Sequence, residues 1–196
     1  MIDTLFVGTP FHDANRHYRW VLAVESCRQR WRCRVEQVTG SFLSKSRDLI
    51  TQIAIESGAS HALFVDSDMV WSADDVVRVE ALGADFAAAA YVSRDGQARP
   101  MWDTTAGDDM RVRWVGAGFM LFRVEALAKF ANESPPERVY LAPGGFPVNA
   151  LWTADRIAGL EHETEDGAFC RRWRESGREI VVDPKIRVRH IGEAIY

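Results

Sequence analysis

Two carboxylates, Asp66 and Asp68, stand at the end of the apolar run in His61-Ala-Leu-Phe-Val-Asp-Ser-Asp-Met-Val-Trp71. Side chains at i and i+2 of an extended segment point to the same side, so both acids can face one divalent cation without any special backbone. Ligands of open α/β sheets collect outside the carboxyl ends of the strands, where this pair falls. Hard oxygen donors with open coordination positions suit Mg2+ or Mn2+ holding a diphosphate. Taken alone, Asp-Ser-Asp is also an ordinary turn or helix cap. Here the apolar residues before it and the Ser72-Ala-Asp-Asp75 cap after it leave the carboxylates exposed at the sheet edge.

Glu165 and Asp166 open a second candidate segment. The helix macrodipole accounts for one acid at a helix start. A second acid there, directly after a long polar stretch, is placed to take a proton from an attacking hydroxyl. His190, in Arg189-His-Ile-Gly192, completes a carboxylate and histidine site if the chain folds back beside Asp68, and nitrogen ligation favours Mn2+ over Mg2+. His12, His17, His61 and His162 carry no comparable spacing. Arg47, in Ser46-Arg-Asp48, is suited to a phosphate or a base, or to a plain surface ion pair. Trp71, Trp102, Trp114 and Trp152 can line a sugar pocket or fill a core.

The elements that must position these residues alternate between strand-like and helix-like, which predicts an α/β protein with a largely parallel sheet. Asp3 to Gly8 reads as a first strand ending in a loop, Thr9-Pro10-Phe-His-Asp13. A helix follows from about Ala14 to Trp31, with Tyr18, Val21, Leu22 and Glu25 at roughly helical spacing, and Arg34 to Thr39 is a second strand. Leu43 to Ser57 reads as helix, stopped by Gly58. After the acidic strand come a helix through Val76, Val77, Val79 and Leu82 and a buried strand over Asp85 to Tyr91.

Val92 to Met110 is expected to be irregular, and Arg111 to Phe122 a strand in which Gly116-Ala-Gly118 marks a bulge or a close approach of backbone or ligand. A helix over Arg123 to Asn132 precedes a second irregular region, Glu133 to Thr164, read as a lid. Glu165 to Ser176 is a helix stopped by Gly177 with Phe169, Cys170 and Trp173 inward, and two short strands follow, Glu179 to Asp183 and Lys185 to His190.

A chain of 196 residues, 47% hydrophobic and 27% charged, fits one globular domain and argues against disorder. No apolar run reaches the ~18 to 20 residues of a spanning helix, and Met1-Ile-Asp-Thr lacks the basic start of a signal peptide, so a cytoplasmic protein is expected. A net charge of −4 supplies no overall cationic field for nucleic acid. Arg28, Arg30, Arg32 and Arg34, and later Arg171, Arg172 and Arg174, read as solvated helix faces. Cys27, Cys33 and Cys170 have no zinc or CxxC spacing and suit reduced, packed thiols.

In order, Thr9-Pro10, Ser46-Arg-Asp-Leu49, Leu63-Phe-Val-Asp-Ser-Asp-Met69, Gly116-Ala-Gly-Phe-Met120, Glu165-Asp-Gly-Ala-Phe-Cys170 and Asp183-Pro through His190-Ile-Gly192 span nearly the whole chain. Together they resemble glycosyltransferases of the GT-A fold, especially short stand-alone forms of bacteria and phages. The resemblance implies a Rossmann-like, mostly parallel sheet flanked by helices, in a single domain over 1–196. Its nucleotide-binding part would cover about 1–110 and its acceptor and catalytic part about 111–196. It implies a DxD motif at Asp66, Ser67 and Asp68, with His190 on the same Mn2+ or Mg2+, and Thr9, Pro10 and Arg47 bordering a nucleotide. It also implies a base on the acceptor hydroxyl from the Glu165-Asp166 pair, Asp166 being the closer match. Arg-Asp replaces a more usual Arg-Asn, which leaves the role of Asp48 open, and Gly-Ala-Gly replaces Gly-Thr-Gly.

The implied activity is hexosyltransferase-like, inverting transfer from a nucleotide-diphosphate sugar, with a UDP sugar as the first guess, to an acceptor hydroxyl. The acceptor stays open, nucleic acid included, as does the oligomeric state. A phosphatase of the haloacid dehalogenase type also sets Asp-x-Asp at a strand end, as in Asp66-Ser-Asp-Met-Val70, but carries its nucleophile on an early strand, whereas two strand and helix units precede Asp66. A sugar nucleotidyltransferase needs a Gly-rich loop that Gly8-Thr-Pro10 does not supply. A non-catalytic nucleotide-sugar binding protein is the remaining alternative.

Overall fold

A computed structural model of the chain describes residues 1–11, 18–40, 42–93, 97–105, 107, 110–155, 157–158 and 161–191. His12, Asp13 and His17, the expected helix start at 14–17, parts of 92–110 and 133–164, and Gly192 lie outside the described residues. The elements run β1 Thr4–Phe11, α1 Tyr18–Arg28, β2 Arg32–Thr39, α2 Leu43–Glu56, β3 His61–Val65, β4 Met69–Val70, α3 Ala73–Glu80 and β5 Phe86–Ala90. They continue with β6 Phe119–Arg123, α4 Val124–Asn132, β7 Val139–Leu141, β8 Pro147–Asn149, β9 Ile157–Ala158, β10 Glu161–His162, α5 Glu165–Glu175, β11 Val181–Arg187 and β12 Arg189–His190.

Six strands form the central sheet in the order β11-β5-β6-β3-β1-β2. β1 runs parallel to both β2 and β3, and β5 parallel to β11, while β6 lies antiparallel between β3 and β5. The sheet is therefore mostly parallel, and its inner strands are buried on both faces, which is why they read as continuous apolar runs. Alternation sorts their side chains. Phe6, Phe64, Phe86 and Phe122 face α2, α4 and α5, whereas Leu5, Val7, Leu63, Val65 and Leu121 face α1 and α3. Gly8 lets α2 close on β1, since a Cβ there would meet Ile50 Cγ2 at 2.3 Å.

Several expectations change. β1 continues through Thr9 and Pro10 to Phe11, because β2 pairs with it to Thr39. Pairing to β3 stops at Gly8, so a residue without an N–H is tolerated beyond it. The buried face of α1 is Trp20, Ala23, Val24 and Cys27, and Tyr18, Val21 and Leu22 are exposed. The strand expected over Arg111 to Phe122 contracts to β6; ahead of it Arg111 and Val115 make only isolated bridges, to Val181 and Trp102. The region Glu133 to Thr164 is not wholly irregular, as it contains the β7–β8 and β9–β10 hairpins. β11 runs on through Pro184 with a register shift between Asp183 and Arg187, merging the expected pieces before β12.

Helix ends behave as their chemistry predicts. Ser72 donates its N–H and hydroxyl to Asp75 at 2.9 Å each at the start of α3, and Gly58 and Gly177 take the left-handed conformation after α2 and α5.

Candidate active site

The site lies beyond the carboxyl end of β3. Asp66, Ser67 and Asp68 do not continue the strand; Asp66 N–H donates to Gly118 O, and Met69 N–H returns to Asp66 O at 3.2 Å, closing a turn. The same-side placement expected from an extended segment is thus replaced by a turn between β3 and β4, as Asp and Ser favour. All three residues are half-buried. Burial pushes the Asp66 carboxyl up, against the pull of Arg47 and with the repulsion of Asp68.

β4 pairs antiparallel with β12, setting His190 opposite Met69. Ile191 N–H donates to Asp68 O at 2.7 Å, and His190 Nε2 comes to 3.9 Å from Asp68 Oδ1. The fold-back expected for His190 is therefore present. Its Nδ1 lies 2.9 Å from Val92 O. A carbonyl only accepts, so Nδ1 carries a proton, and Nε2 is the ring nitrogen turned toward Asp68.

On the other side of Asp66, Arg47 reaches out from α2. Its Nη2 donates to Asp66 Oδ1 at 2.8 Å and its Nη1 to Glu165 Oε1 at 2.5 Å, while its Cζ lies 5.4 Å from the centroid of the Trp152 ring. Only 4% of the Arg47 side chain is exposed, so this is a buried fork and not a surface pair. Burial alone would lower the Arg47 pKa; Asp66 and Glu165 outweigh it and raise it. Asp166 is held differently: its Oδ1 accepts from Gly167 N–H at 2.8 Å and from the Thr164 hydroxyl, within the cap of α5.

Thr9 is fully buried and its hydroxyl accepts from Trp20 Nε1 at 3.1 Å, so its side chain faces the interior, and Pro10 is buried with it. Trp152 and Trp71 are core residues, whereas Trp114 is exposed and Trp102 half-buried. Arg171 and Arg172 are not solvated: Arg172 donates to Leu151 O and Thr153 O, and both arginines meet Asp155. Arg28, Arg30, Arg32 and Arg34 are exposed as expected, although Arg32 and Arg34 sit on β2. Charge spacing gave no signal for Arg172; its place three residues after Phe169 on the inward face of α5 did.

The close approach at Gly116 and Gly118 is to a side chain. Tyr91, whose ring packs edge-on against His190 at 4.9 Å, accepts from Gly118 N–H at 2.8 Å. A Cβ on Gly118 would stand 2.7 Å from Tyr91 Cζ. Gly118→Ala is expected to cost about 2 kcal/mol in a denaturant titration, the scale of core overpacking. An unchanged midpoint would show that the ring yields freely.

No protein-family model matches the chain, and no curated protein sequence matches it. Among solved structures, protein A197 from STIV overlays with a TM-score of 0.59 at 13% identity, covering 96% of this chain and 85% of that one. The two share a fold. A nucleotide-diphospho-sugar transferase from Desulfovibrio desulfuricans G20 (TM-score 0.48, 10% identity, 93% and 80% of the chains) overlays more loosely. So does a glucose-1-phosphate thymidylyltransferase from Bacillus anthracis (0.43, 8%, 97% and 68%). Overlaps that loose establish no activity.

Proposed function

We propose that the protein is a metal-dependent GT-A glycosyltransferase that moves a sugar from a nucleotide-diphosphate donor to an acceptor hydroxyl with inversion. The observation that carries this reading is the convergence of Asp66, Asp68, His190, Arg47 and the Glu165-Asp166 pair, from four separate parts of the chain, at the carboxyl end of β3. Among the described residues no group of three His, Cys, Asp or Glu is already gathered as a metal site. The donor types, two carboxylates and an imidazole, are ones a divalent ion takes. Two ligands about 2.1 Å from an octahedral ion stand about 3.0 Å apart when adjacent and about 4.2 Å when opposite. The 3.9 Å between His190 Nε2 and Asp68 Oδ1 falls between the two, so the pair would close by somewhat under an ångström to take adjacent positions on an ion. Asp68 and His190 would hold Mn2+ or Mg2+, with Asp66 as third ligand, and the ion would supply charge neutralisation for the leaving diphosphate.

The chain's own groups supply the rest. Glu165 is bound to Arg47, so its Oε1 is already committed to the guanidinium. Asp166 is the better base: Oδ1 is fixed by the α5 cap and Oδ2 accepts neither of those bonds, so its orientation is set in advance. It would take the proton from the acceptor hydroxyl as the oxygen attacks the anomeric carbon, and the nucleoside diphosphate would leave from the opposite face. Arg47, whose terminal nitrogens are engaged by Asp66 and Glu165, would pair with a phosphate oxygen only by giving up one of those carboxylates.

Calorimetry with a panel of nucleotide sugars, with and without Mn2+, tests the reading. Metal-dependent binding that disappears in Asp68→Ala is the expected result. A folded protein that binds no donor but releases phosphate from simple esters would replace this reading with a phosphatase.

A further inference from the structure

Asp48, next to Arg47 on α2, is 1% exposed. Its Oδ1 accepts from the backbone N–H groups of Leu151 and Trp152 at 2.8 and 2.9 Å, across more than a hundred residues of chain. The same segment is gripped twice more. Thr51 Oγ1 accepts from the Trp152 indole at 3.0 Å and itself donates to Arg47 O at 2.8 Å, and Arg172 from α5 donates to Leu151 O at 2.6 Å. The indole so fixed stacks on Phe169 at 4.2 Å and on Phe64 at 6.0 Å, and its ring carries the Arg47 guanidinium.

We infer that Asp48 is a positioning residue for the site: by accepting the Leu151 and Trp152 amides it holds the Trp152 ring beneath Arg47, and so aims the guanidinium between Asp66 and Glu165. Its consequence for substrate rests on the transferase reading; the geometry it sets does not. Packing alone does not call for an acid here, since Asp48 Oδ2 is buried with no donor other than the Tyr140 hydroxyl that faces the carboxyl, and an amide oxygen would serve the two N–H groups. A carboxylate oxygen accepts two such donors more strongly than an amide does, which tightens the grip when ionised. Burial pushes Asp48 up to about 7, with the Trp152 and Leu151 amides pulling it back, so the grip changes near neutrality. The groups facing it are Arg172 from α5 and Tyr140 from β7; Lys45 and Arg47 share its own helix.

The test follows the Trp152 indole N–H by NMR, assigned with Trp152→Phe, from about pH 5.5 to about pH 8.5, alongside calorimetric binding of UDP with Mn2+. In the wild type the resonance is expected to move with a midpoint near neutrality. In Asp48→Asn, which keeps the accepting oxygen, it is expected to stay in place with no midpoint and UDP binding within about twofold of wild type. Asp48→Ala is expected to displace the resonance at every pH and weaken UDP binding about tenfold. A midpoint that persists in Asp48→Asn, or a wild-type resonance and affinity in Asp48→Ala, overturns the inference. Should Asp48→Ala fail to fold, the Asp48→Asn titration decides alone. Should the wild type bind no UDP, the transferase reading falls while the indole titration still decides the role of Asp48.

Discussion

Arg47→Ala is expected to lose about 3 kcal/mol of stability, because it leaves Asp66 and Glu165 facing each other with no cation between them. Breaking a buried pair by removing one partner costs about 3 to 5 kcal/mol. The lower end applies, since Asp66 and Glu165 keep 26% and 28% of their side-chain surface in solvent while Arg47 keeps 4%. Loss of the cation over Trp152 adds to the cost. Arg47→Lys should fall between, as a single ammonium cannot bond both acids in the fork that the guanidinium spans. Urea unfolding checks the order wild type, Lys, Ala. An Arg47→Ala protein as stable as wild type would mean that the two acids are solvated independently and that the fork holds nothing together.

Asp48→Asn is expected to stabilise the protein by an amount that grows from about pH 4 to about pH 7 and is constant above that. The carboxyl rises from 3.8 to about 7 on folding, so the native state keeps a proton that the unfolded chain gives up. Stability from this group is complete below about pH 4, falls as pH climbs through about 7, and then levels. At ~1.4 kcal/mol per unit of pKa, the full difference is about 4 kcal/mol. The amide cannot ionise, so its advantage should grow from near zero in acid to a few kcal/mol above pH ~8. Other carboxylates move the opposite way: Asp155, held well below the ordinary range chiefly by Arg138, loses stability in acid. The quantity to compare is therefore the wild-type to variant difference at each pH. A difference that does not vary with pH would show that Asp48 is ionised and satisfied throughout.

Sequence patterning carried the element boundaries that depend on local chemistry. The α3 start at Ser72, the glycine stops after α2 and α5, and the inward face of α5 all follow from caps and periodicity. It also carried Asp66 and Asp68 to a strand end, whereas His190 beside them was only what the order of motifs implied, since no local pattern marks a chain folding back. Direction was hidden: a continuous apolar run such as Phe119 to Phe122 reads the same for a parallel or an antiparallel neighbour, so nothing marked β6 as reversed. Pairing length was hidden too, since Thr9 and Pro10 look like a loop until β2 is seen to continue beside them. The Arg47 fork and the Asp48 grip were illegible for a different reason. Each joins α2 to residues more than a hundred positions away, and a charge on a helix looks alike whether its partner is water or a distant carboxylate.

The pairing of β12 with β4 also sets a timetable for synthesis. When α5 has left the ribosome, Arg47, Asp66 and Glu165 all exist and their fork can close, but His190 is not yet available to Asp68. Closing a longer loop costs only slightly more entropy than closing a shorter one, so the delay is one of order and not of thermodynamic difficulty. A nascent chain halted between α5 and β12 would own the anionic turn and its arginine with no imidazole across from Asp68. The histidine is thus the last of these groups to be synthesised, and Asp68 gains its imidazole neighbour only after the arginine fork can already have closed.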